Sequence, residues 1–258
     1  MSYKHVLYEK KDGIAGITLN EPENLNALSL ELRAELIDIF HKLPDEDDVN
    51  VVTITGNGKA FCAGGDIRTM AGVTPVAGRK RLKSGQRLVR AMVDLEKPII
   101  AVVNGVTAGA GVSLVLASDL VIASDKAKFH FSFVNIGLVP DWGQFYFLPL
   151  RVGMCRAKEL MLTGGPIDAV EAARIGMINR AVPLETLYEE ADKLAGRFAA
   201  GPGQAYAMIK CALNRWPSTL EALLELESTM QAVGFSSEDL AEGRKAFLEK
   251  RKPVFKGK

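Results

Sequence analysis

Two glycine-rich turns constrain the fold of this chain more than any other feature. Residues 59–67, Lys-Ala-Phe-Cys-Ala-Gly-Gly-Asp-Ile, follow a short β-branched run that ends at Gly56. Residues 104–111, Asn-Gly-Val-Thr-Ala-Gly-Ala-Gly, follow a second such run at residues 99–103. Glycines adopt backbone torsions closed to other residues and allow close approach of a ligand. The pattern predicts strands that lead into helices through turns with outward-pointing N–H groups.

Hydrophobic periodicity along the rest of the chain predicts an α/β fold with a helical C-terminal part. The 258 residues are 48% hydrophobic and 24% charged, which is enough apolar material for a full core. Residues 199–203, Ala-Ala-Gly-Pro-Gly, predict a hinge between a core of residues 1–199 and a helical region of residues 200–258. The predicted strands are residues 5–9, 14–19, 51–55, 99–103, 120–123 and 128–133. The predicted helices follow Ser29 and Gly109 and recur at residues 80–95, 156–162, 168–175, 184–198, 204–214, 220–233 and 237–250.

Charge and cysteine content exclude several classes of partner. The formal net charge is +1, so no whole-molecule field attracts nucleic acid or an acidic membrane. The three cysteines form no Cys-x-x-Cys pair, which favours free thiols in a reducing compartment. No apolar run reaches the length of a signal peptide or a membrane span, and the three histidines lack metal-ligand spacing. We therefore expect a cytoplasmic protein with no metal site.

The two glycine-rich turns have competing interpretations. N–H groups in the first turn and at Ala110 and Gly111 can hold a developing oxyanion, with help from the dipole of the following helix. A dinucleotide-binding turn would need a third spaced glycine, which residues 109–114 lack. Asp66 is also well placed to cap a short helix over residues 67–71. Two such turns in one chain are best explained by a paired oxyanion hole.

Four segments resemble the crotonase (enoyl-CoA hydratase/isomerase) superfamily. They are residues 21–28, 61–67, 100–120 and 242–251, and the resemblance runs nearly from end to end in the right order. It implies the crotonase fold, a ClpP/crotonase-like spiral of ββα units with a helical C-terminal region. It also implies an acyl-coenzyme A thioester as substrate, with no separate cofactor. Family members form trimers or dimers of trimers through the C-terminal helices, which also cover coenzyme A.

The resemblance also implies roles for individual residues. The N–H groups of Gly65 and Ala110 would form the oxyanion hole. Phe247 and Lys250 resemble residues that approach the nucleotide of a neighbouring subunit, although an ordinary amphipathic helix would show the same spacing. The residues expected around coenzyme A and the acyl group are Asn24, Leu25, Ala27, Ala63, Gly64, Asp66, Ile67, Phe133, Phe247 and Lys250.

The chain departs from the hydratase pattern at two positions. Hydratases of this family hold water between two glutamates, and here those positions are Ser113 and Phe133. Asp141 remains as the candidate base, because apolar neighbours should raise the pKa of its carboxyl. It resembles the catalytic aspartate of ring-epoxide phenylacetyl-CoA isomerases and of some enoyl-CoA isomerases. A helix N-cap after Pro140 is the alternative interpretation.

These residues favour a double-bond isomerase, because one base suffices to move a proton between two carbons. A hydratase with atypical acid and base groups is the nearest alternative. A non-catalytic acyl-CoA-binding subunit is the alternative from another class. A dehalogenase with a nucleophilic aspartate would need a histidine base, and residues 71–100 contain none.

Overall fold

Three successive strand–strand–helix units form the centre of the fold. The computed structural model describes residues 3–215 and 218–257. The strands are β1 (Val6–Lys11), β2 (Ile14–Leu19), β3 (Val51–Gly56), β4 (Ala60–Cys62), β5 (Ile99–Val103), β6 (Val106–Ala108), β7 (Leu120–Ser124), β8 (Lys128–His130), β9 (Pro166–Asp168) and β10 (Arg180–Val182). The helices are α1 (Leu30–Lys42), α2 (Pro75–Asp94), α3 (Ala110–Ala117), α4 (Gln144–Thr163), α5 (Ala169–Arg174), α6 (Leu187–Ala199), α7 (Gly203–Asn214), α8 (Leu220–Phe235) and α9 (Glu238–Leu248).

The strands form two sheets, and each unit contributes one strand to each. The six-stranded sheet has the order β1-β2-β3-β5-β7-β10 and is parallel from β2 onward. The four-stranded sheet has the order β4-β6-β8-β9, with β4, β6 and β8 parallel. The carboxyl ends of parallel neighbours lie at one edge of a sheet. The turns after β4, β6 and β8 are therefore neighbours in space.

Strands β3, β5 and β7 of the six-stranded sheet are buried on both faces, as their continuous apolar runs predict. Successive residues point to opposite faces, so Val51 and Ile100 pack under α6 while Val52 and Ala101 join the main core. That main core lies against α1, α2 and α3. None of the helices in the described part combines the length and apolar character needed to cross a bilayer.

Most predicted elements are confirmed, but several boundaries differ. The helix expected over residues 156–162 is the second part of α4, which begins at Gln144 and is interrupted by the non-helical torsions of Gly153. The strand expected over residues 128–133 ends at His130, because Phe133 has helical torsions and residues 134–136 form a 3₁₀ turn. The helix expected over residues 80–95 begins at Pro75, after Thr74 caps it through its side chain.

The C-terminal helices differ from the core in burial. Helix α8 has no buried residue, whereas α7 is held to the core by the buried side chain of Lys210. The Lys210 ammonium donates to the carbonyl groups of Met92 (3.1 Å) and Lys97 (3.0 Å) and lies 2.8 Å from the Asp119 carboxylate. Three partners compensate the loss of hydration, although burial still lowers the pKa of Lys210.

Lys210→Met should destabilise the fold, because it leaves the Asp119 carboxylate and two carbonyl groups without their shared donor. Breaking a buried pair of this kind costs about 3 kcal/mol. Urea unfolding followed by circular dichroism would measure the loss. Lys193→Met is the matched control, since the exposed Lys193 pairs with Glu189 and Glu190 at the surface of α6. Equal unfolding midpoints for both variants would contradict the anchoring role of Lys210.

Candidate active site

The turns after β4 and β6 pack backbone against backbone. A Cβ atom on Gly64 would lie 2.6 Å from the Ala108 carbonyl oxygen and 3.2 Å from the Ala110 amide nitrogen. A Cβ atom on Gly111 would lie 2.3 Å from the Cys62 carbonyl oxygen. Distances this short exclude any side chain at either position. The structure thus brings the two predicted turns together.

Two backbone N–H groups at this contact donate no hydrogen bond to any described residue. Ala110 is the first residue of α3, where N–H groups have no acceptor within the helix. Gly65 follows β4. Its N–H donates to no described residue, whereas the carbonyl of its neighbour Gly64 accepts the Leu28 N–H at 2.7 Å. Ala110 is 4% exposed. The contact therefore presents free donors in a largely dehydrated setting.

The loop of residues 24–28 lies against the first turn. The Ala63 N–H donates to the Leu25 carbonyl at 2.9 Å. The buried side chain of Asn26 fixes this loop, because its amide donates to the carbonyl groups of Asn57 (2.9 Å) and Ala60 (2.8 Å). Asn24 and Leu25 are exposed and Ala27 is half-buried. Sequence reasoning missed the structural role of Asn26.

Asp66 caps the 3₁₀ turn that follows, as the capping interpretation predicted. Its carboxylate accepts the Arg68 N–H at 3.0 Å and pairs with the Arg68 guanidinium at 2.9 Å. That pairing lowers the pKa of Asp66. Ile67 is 61% exposed beside it.

The Asp141 carboxyl is half-buried, and its Oδ1 atom has no hydrogen-bond partner among the described residues. Burial raises its pKa to about 6, which confirms the predicted direction, while the charges of Arg33 and Arg81 act against the shift. The capping interpretation of Asp141 was wrong. Helix α4 begins after Gly143, which has left-handed torsions, and no side chain caps it.

Arg33 and Trp142 form the surroundings of this carboxyl. The Trp142 side chain is 4% exposed, and a Cβ atom on Gly85 would lie 2.0 Å from it, so the indole packs directly on α2. The Arg33 guanidinium lies 5.9 Å from the Trp142 ring centroid. Arg33 is 5% exposed, and its Nη2 atom has no partner in the described part of the chain. Arg33 lies three residues before Leu36, on the apolar stripe of α1, and this spacing could have predicted that its side chain is buried.

Ser113 and Phe133, the two positions that the resemblance aligns with the hydratase glutamates, also lie at the second turn. The Phe133 ring would lie 3.6 Å from a Cβ atom on Gly109. The Ser113 hydroxyl donates to the Asp141 carbonyl at 3.1 Å. The same hydroxyl accepts from the amide of Gln144 at 3.0 Å. Gln144 is fully buried and was missed, because only the tertiary structure shows which polar residue at the start of α4 faces inward.

Phe247 and Lys250 are exposed, in contrast to these groups. Phe247, in the last turn of α9, is 83% exposed, and Lys250 follows the helix with a left-handed φ of 52°. Both side chains face solvent in the single chain. Across residues 3–215 and 218–257, no group of three His, Cys, Asp or Glu side chains is arranged to hold a metal ion.

Comparisons with known proteins show similarity to one family over nearly the whole chain. Residues 9–258 match the enoyl-CoA hydratase/isomerase family model. The chain is 38% identical to the 1,2-epoxyphenylacetyl-CoA isomerase of Escherichia coli, with 98% of each chain covered. It is 36% identical to the crotonyl-CoA hydratase of Syntrophomonas wolfei, with 99% of each chain covered.

Solved structures show the same architecture. The enoyl-CoA hydratase of Bacillus anthracis superposes with a TM-score of 0.95 at 32% identity, covering 99% of this chain and 100% of that one. The expected α/β crotonase fold is confirmed. The chain belongs to the enoyl-CoA hydratase/isomerase (crotonase) family.

Proposed function

We propose that this protein is a cytoplasmic acyl-CoA double-bond isomerase that uses Asp141 as its only proton carrier. The observation that carries the proposal is the half-buried Asp141 carboxyl, which has an unpartnered oxygen and a pKa raised to about 6. A base with a pKa near the working pH is effective in proton transfer. Ser113 and Phe133 supply no second carboxylate.

In the proposed reaction, the Asp141 carboxylate removes a proton made acidic by the thioester carbonyl. The electron pair moves onto the carbonyl oxygen, and the N–H groups of Gly65 and Ala110 stabilise the resulting dienolate. The double bond shifts by one position when the same carboxyl returns the proton two carbons away. The proposed reaction consumes no water and uses no further cofactor.

Ring-epoxide isomerisation on an arylacetyl-CoA is the second candidate, because the Escherichia coli isomerase is 38% identical over nearly the whole chain. Hydration is the third, because the Syntrophomonas wolfei hydratase is 36% identical. Hydration requires a base for water and an acid for the α-carbon. Ser113 is hydrogen-bonded as donor and acceptor and Phe133 is apolar, so neither position supplies such a group, and Asp141 alone would have to fill both roles.

We propose that coenzyme A lies along the loop of residues 24–28 and the first glycine turn. Asn24, Leu25 and Ala27 would contact its adenine end together with the Ala63 carbonyl, and Gly64 would leave room for the thioester. Asp66 and Ile67 border this path. Asp66 would stabilise the turn along this path rather than bind coenzyme A through its carboxylate, because that carboxylate already pairs with Arg68. Phe133 would border the acyl group, and Phe247 and Lys250 would reach coenzyme A bound to a neighbouring subunit.

Asp141→Asn should abolish isomerisation while the protein remains folded. The amide keeps the shape but cannot accept the proton, so turnover of a 3-enoyl-CoA should fall by ~100-fold or more. An acid with a raised pKa stabilises the fold less as pH rises from its ordinary value of 3.8 to about 6. The variant should therefore be at least as stable as wild type at pH 8, as thermal unfolding would measure.

Asp168→Asn is the matched control, because Asp168 caps α5 with its side chain and has no proposed chemical role. It should keep full turnover. Parallel assays would use 1,2-epoxyphenylacetyl-CoA and the hydration of a 2-enoyl-CoA. Rapid hydration that survives in Asp141→Asn would contradict the proposal.

Isomerase activity should depend on pH through Asp141. The carboxylate is the active form, so kcat/KM should fall as pH decreases through about 6. The Arg33 charge favours the carboxylate, so Arg33→Met should raise the pKa of Asp141 further and move this acidic limb to higher pH. Arg156→Met, on the exposed side of α4, should leave the limb in place. An acidic limb of kcat/KM at unchanged or lower pH in Arg33→Met would argue against Asp141 as the base.

We also propose that the protein is a homotrimer or a dimer of trimers joined through its C-terminal helices. Helix α8 exposes large apolar side chains, among them Leu220 (66%), Leu224 (50%) and Phe235 (71%). Surface of this kind commonly marks an interface between subunits.

Light scattering should give a mass of three or six chains. Leu224→Asp combined with Phe235→Asp should shift that mass toward the monomer, because two charges would be buried without partners. Thr229→Asp adds a charge on another side of α8 and should keep the assembly intact. A monomeric wild type would refute the proposed assembly.

A further inference from the structure

A chain of three hydrogen bonds joins the second glycine turn to Asp141. The Gln144 side-chain amide donates to the Gly109 carbonyl at 2.7 Å and to the Ser113 hydroxyl at 3.0 Å. The Ser113 hydroxyl then donates to the Asp141 backbone carbonyl at 3.1 Å. We propose that Gln144 and Ser113 are positioning residues that hold the oxyanion-hole peptide and the base at a fixed spacing. This inference rests on the proposed function of Ala110 and Asp141.

The Gly109 carbonyl matters because it belongs to the same peptide group as the Ala110 N–H. A donor to the oxygen of a peptide increases the polarity of its N–H, since hydrogen-bonded dipoles polarise one another. The N–H groups of Val112 (3.0 Å) and Ser113 (3.4 Å) also reach this oxygen, but the Gln144 amide is nearer than either. Gln144 thereby orients the Ala110 N–H and makes it a stronger hydrogen-bond donor.

Gln144 adds a restraint from outside helix α3. Gly109 is the N-cap residue of α3, with a φ of 50° and a ψ of −121°, and its carbonyl accepts the first N–H groups of that helix. These bonds hold the 109–110 peptide from within the turn. The side chain of Gln144 is fully buried and donates to the same carbonyl from another element, α4, so it ties the peptide to the segment that carries Asp141.

The direction of these bonds follows from their acceptors. A reversed Gln144 amide would place its oxygen 2.7 Å from the Gly109 carbonyl oxygen, where two acceptors repel. The nitrogen must therefore face Gly109. Because this nitrogen also donates to the Ser113 oxygen, the Ser113 proton is free to point to Asp141.

Gln144 restrains the base from a second side. Its backbone N–H donates to the Asp141 carbonyl at 3.1 Å, so that carbonyl is held by Gln144 and Ser113 together. The intervening residue Trp142 has a φ of 50°, which is unfavourable for a bulky side chain. Such a turn persists only when its surroundings fix it. The hydrogen-bond chain provides that fixation.

The test compares Gln144→Met, which keeps the side-chain length but removes the donor, with Gln204→Met on the exposed surface of α7. Gln144→Met should lower kcat for a 3-enoyl-CoA by ~10-fold or more, since loss of a whole oxyanion donor lowers turnover by about a hundredfold. The dissociation constant for butyryl-CoA should change less than ~3-fold, because binding uses contacts along the whole of coenzyme A. Gln204→Met should match wild type in both. Ser113→Ala should show a smaller loss of kcat.

A spectroscopic readout separates positioning from simple structural support. Butyryl-CoA labelled with ¹³C at the thioester carbonyl should show a carbonyl stretch shifted to lower frequency on wild type. Gln144→Met should lose part of that shift, whereas Asp141→Asn should keep it while losing turnover. An unchanged carbonyl frequency in Gln144→Met, with or without loss of kcat, would overturn the inference.

The same design separates the inference from the proposed function. If wild type isomerises no 3-enoyl-CoA but Gln144→Met still loses the carbonyl shift, isomerisation fails and the positioning role stands. If wild type isomerises rapidly and Gln144→Met matches it in both readouts, the positioning role alone fails.

Discussion

The close contact between the two glycine turns is the constraint on which the rest of the structure depends. Parallel pairing of β4 and β6 brings their carboxyl ends together, and the chain must leave both strands in almost the same place. Only glycine fits at positions 64 and 111, because a Cβ atom at either position would lie less than 3 Å from backbone atoms. Such contact leaves no space for side chains, so backbone N–H groups form the local surface.

The half-buried Asp141 carboxyl conflicts with stability, and the surrounding residues show how the fold tolerates it. The unpartnered Oδ1 atom of Asp141 is a polar group removed from water without compensation. Its backbone, by contrast, is held by Ser113 and Gln144. The nearby charge of Arg33 reduces the cost of ionisation without closing an ion pair, so the carboxyl retains its raised pKa. The main chain is fixed while the side chain stays available to a ligand.

Much of this arrangement could be predicted from the sequence, and the limits have physical causes. Glycine spacing located both turns because it reports backbone conformation, which is a local property. β4 and β6 were missed because three residues show no period. Arg33 and Gln144 were missed because burial of a polar side chain depends on packing between elements distant in the chain.

The capping interpretation of Asp141 failed for a related reason. It assumed that α4 begins directly after residue 141. In the structure Trp142 and Gly143 both take left-handed torsions, which delay the helix start to Gln144. The pair Pro140-Asp141 before an apolar run does not indicate that the helix begins only at Gln144. Sequence reasoning predicted the raised pKa because it used only the apolar character of the neighbours.

Overall similarity does not separate isomerisation from hydration in this family, because relatives named for each reaction are 38% and 36% identical to this chain. We propose that the distinction lies in a few positions around the second turn. A carboxylate at position 113 could activate water, whereas Ser113 has its hydroxyl committed between Gln144 and the Asp141 carbonyl. Phe133 adds an apolar ring beside Gly109. Under the proposed function, such a site would bind water weakly and offer the proton a single carrier, Asp141, and those conditions favour transfer between two carbons of one substrate.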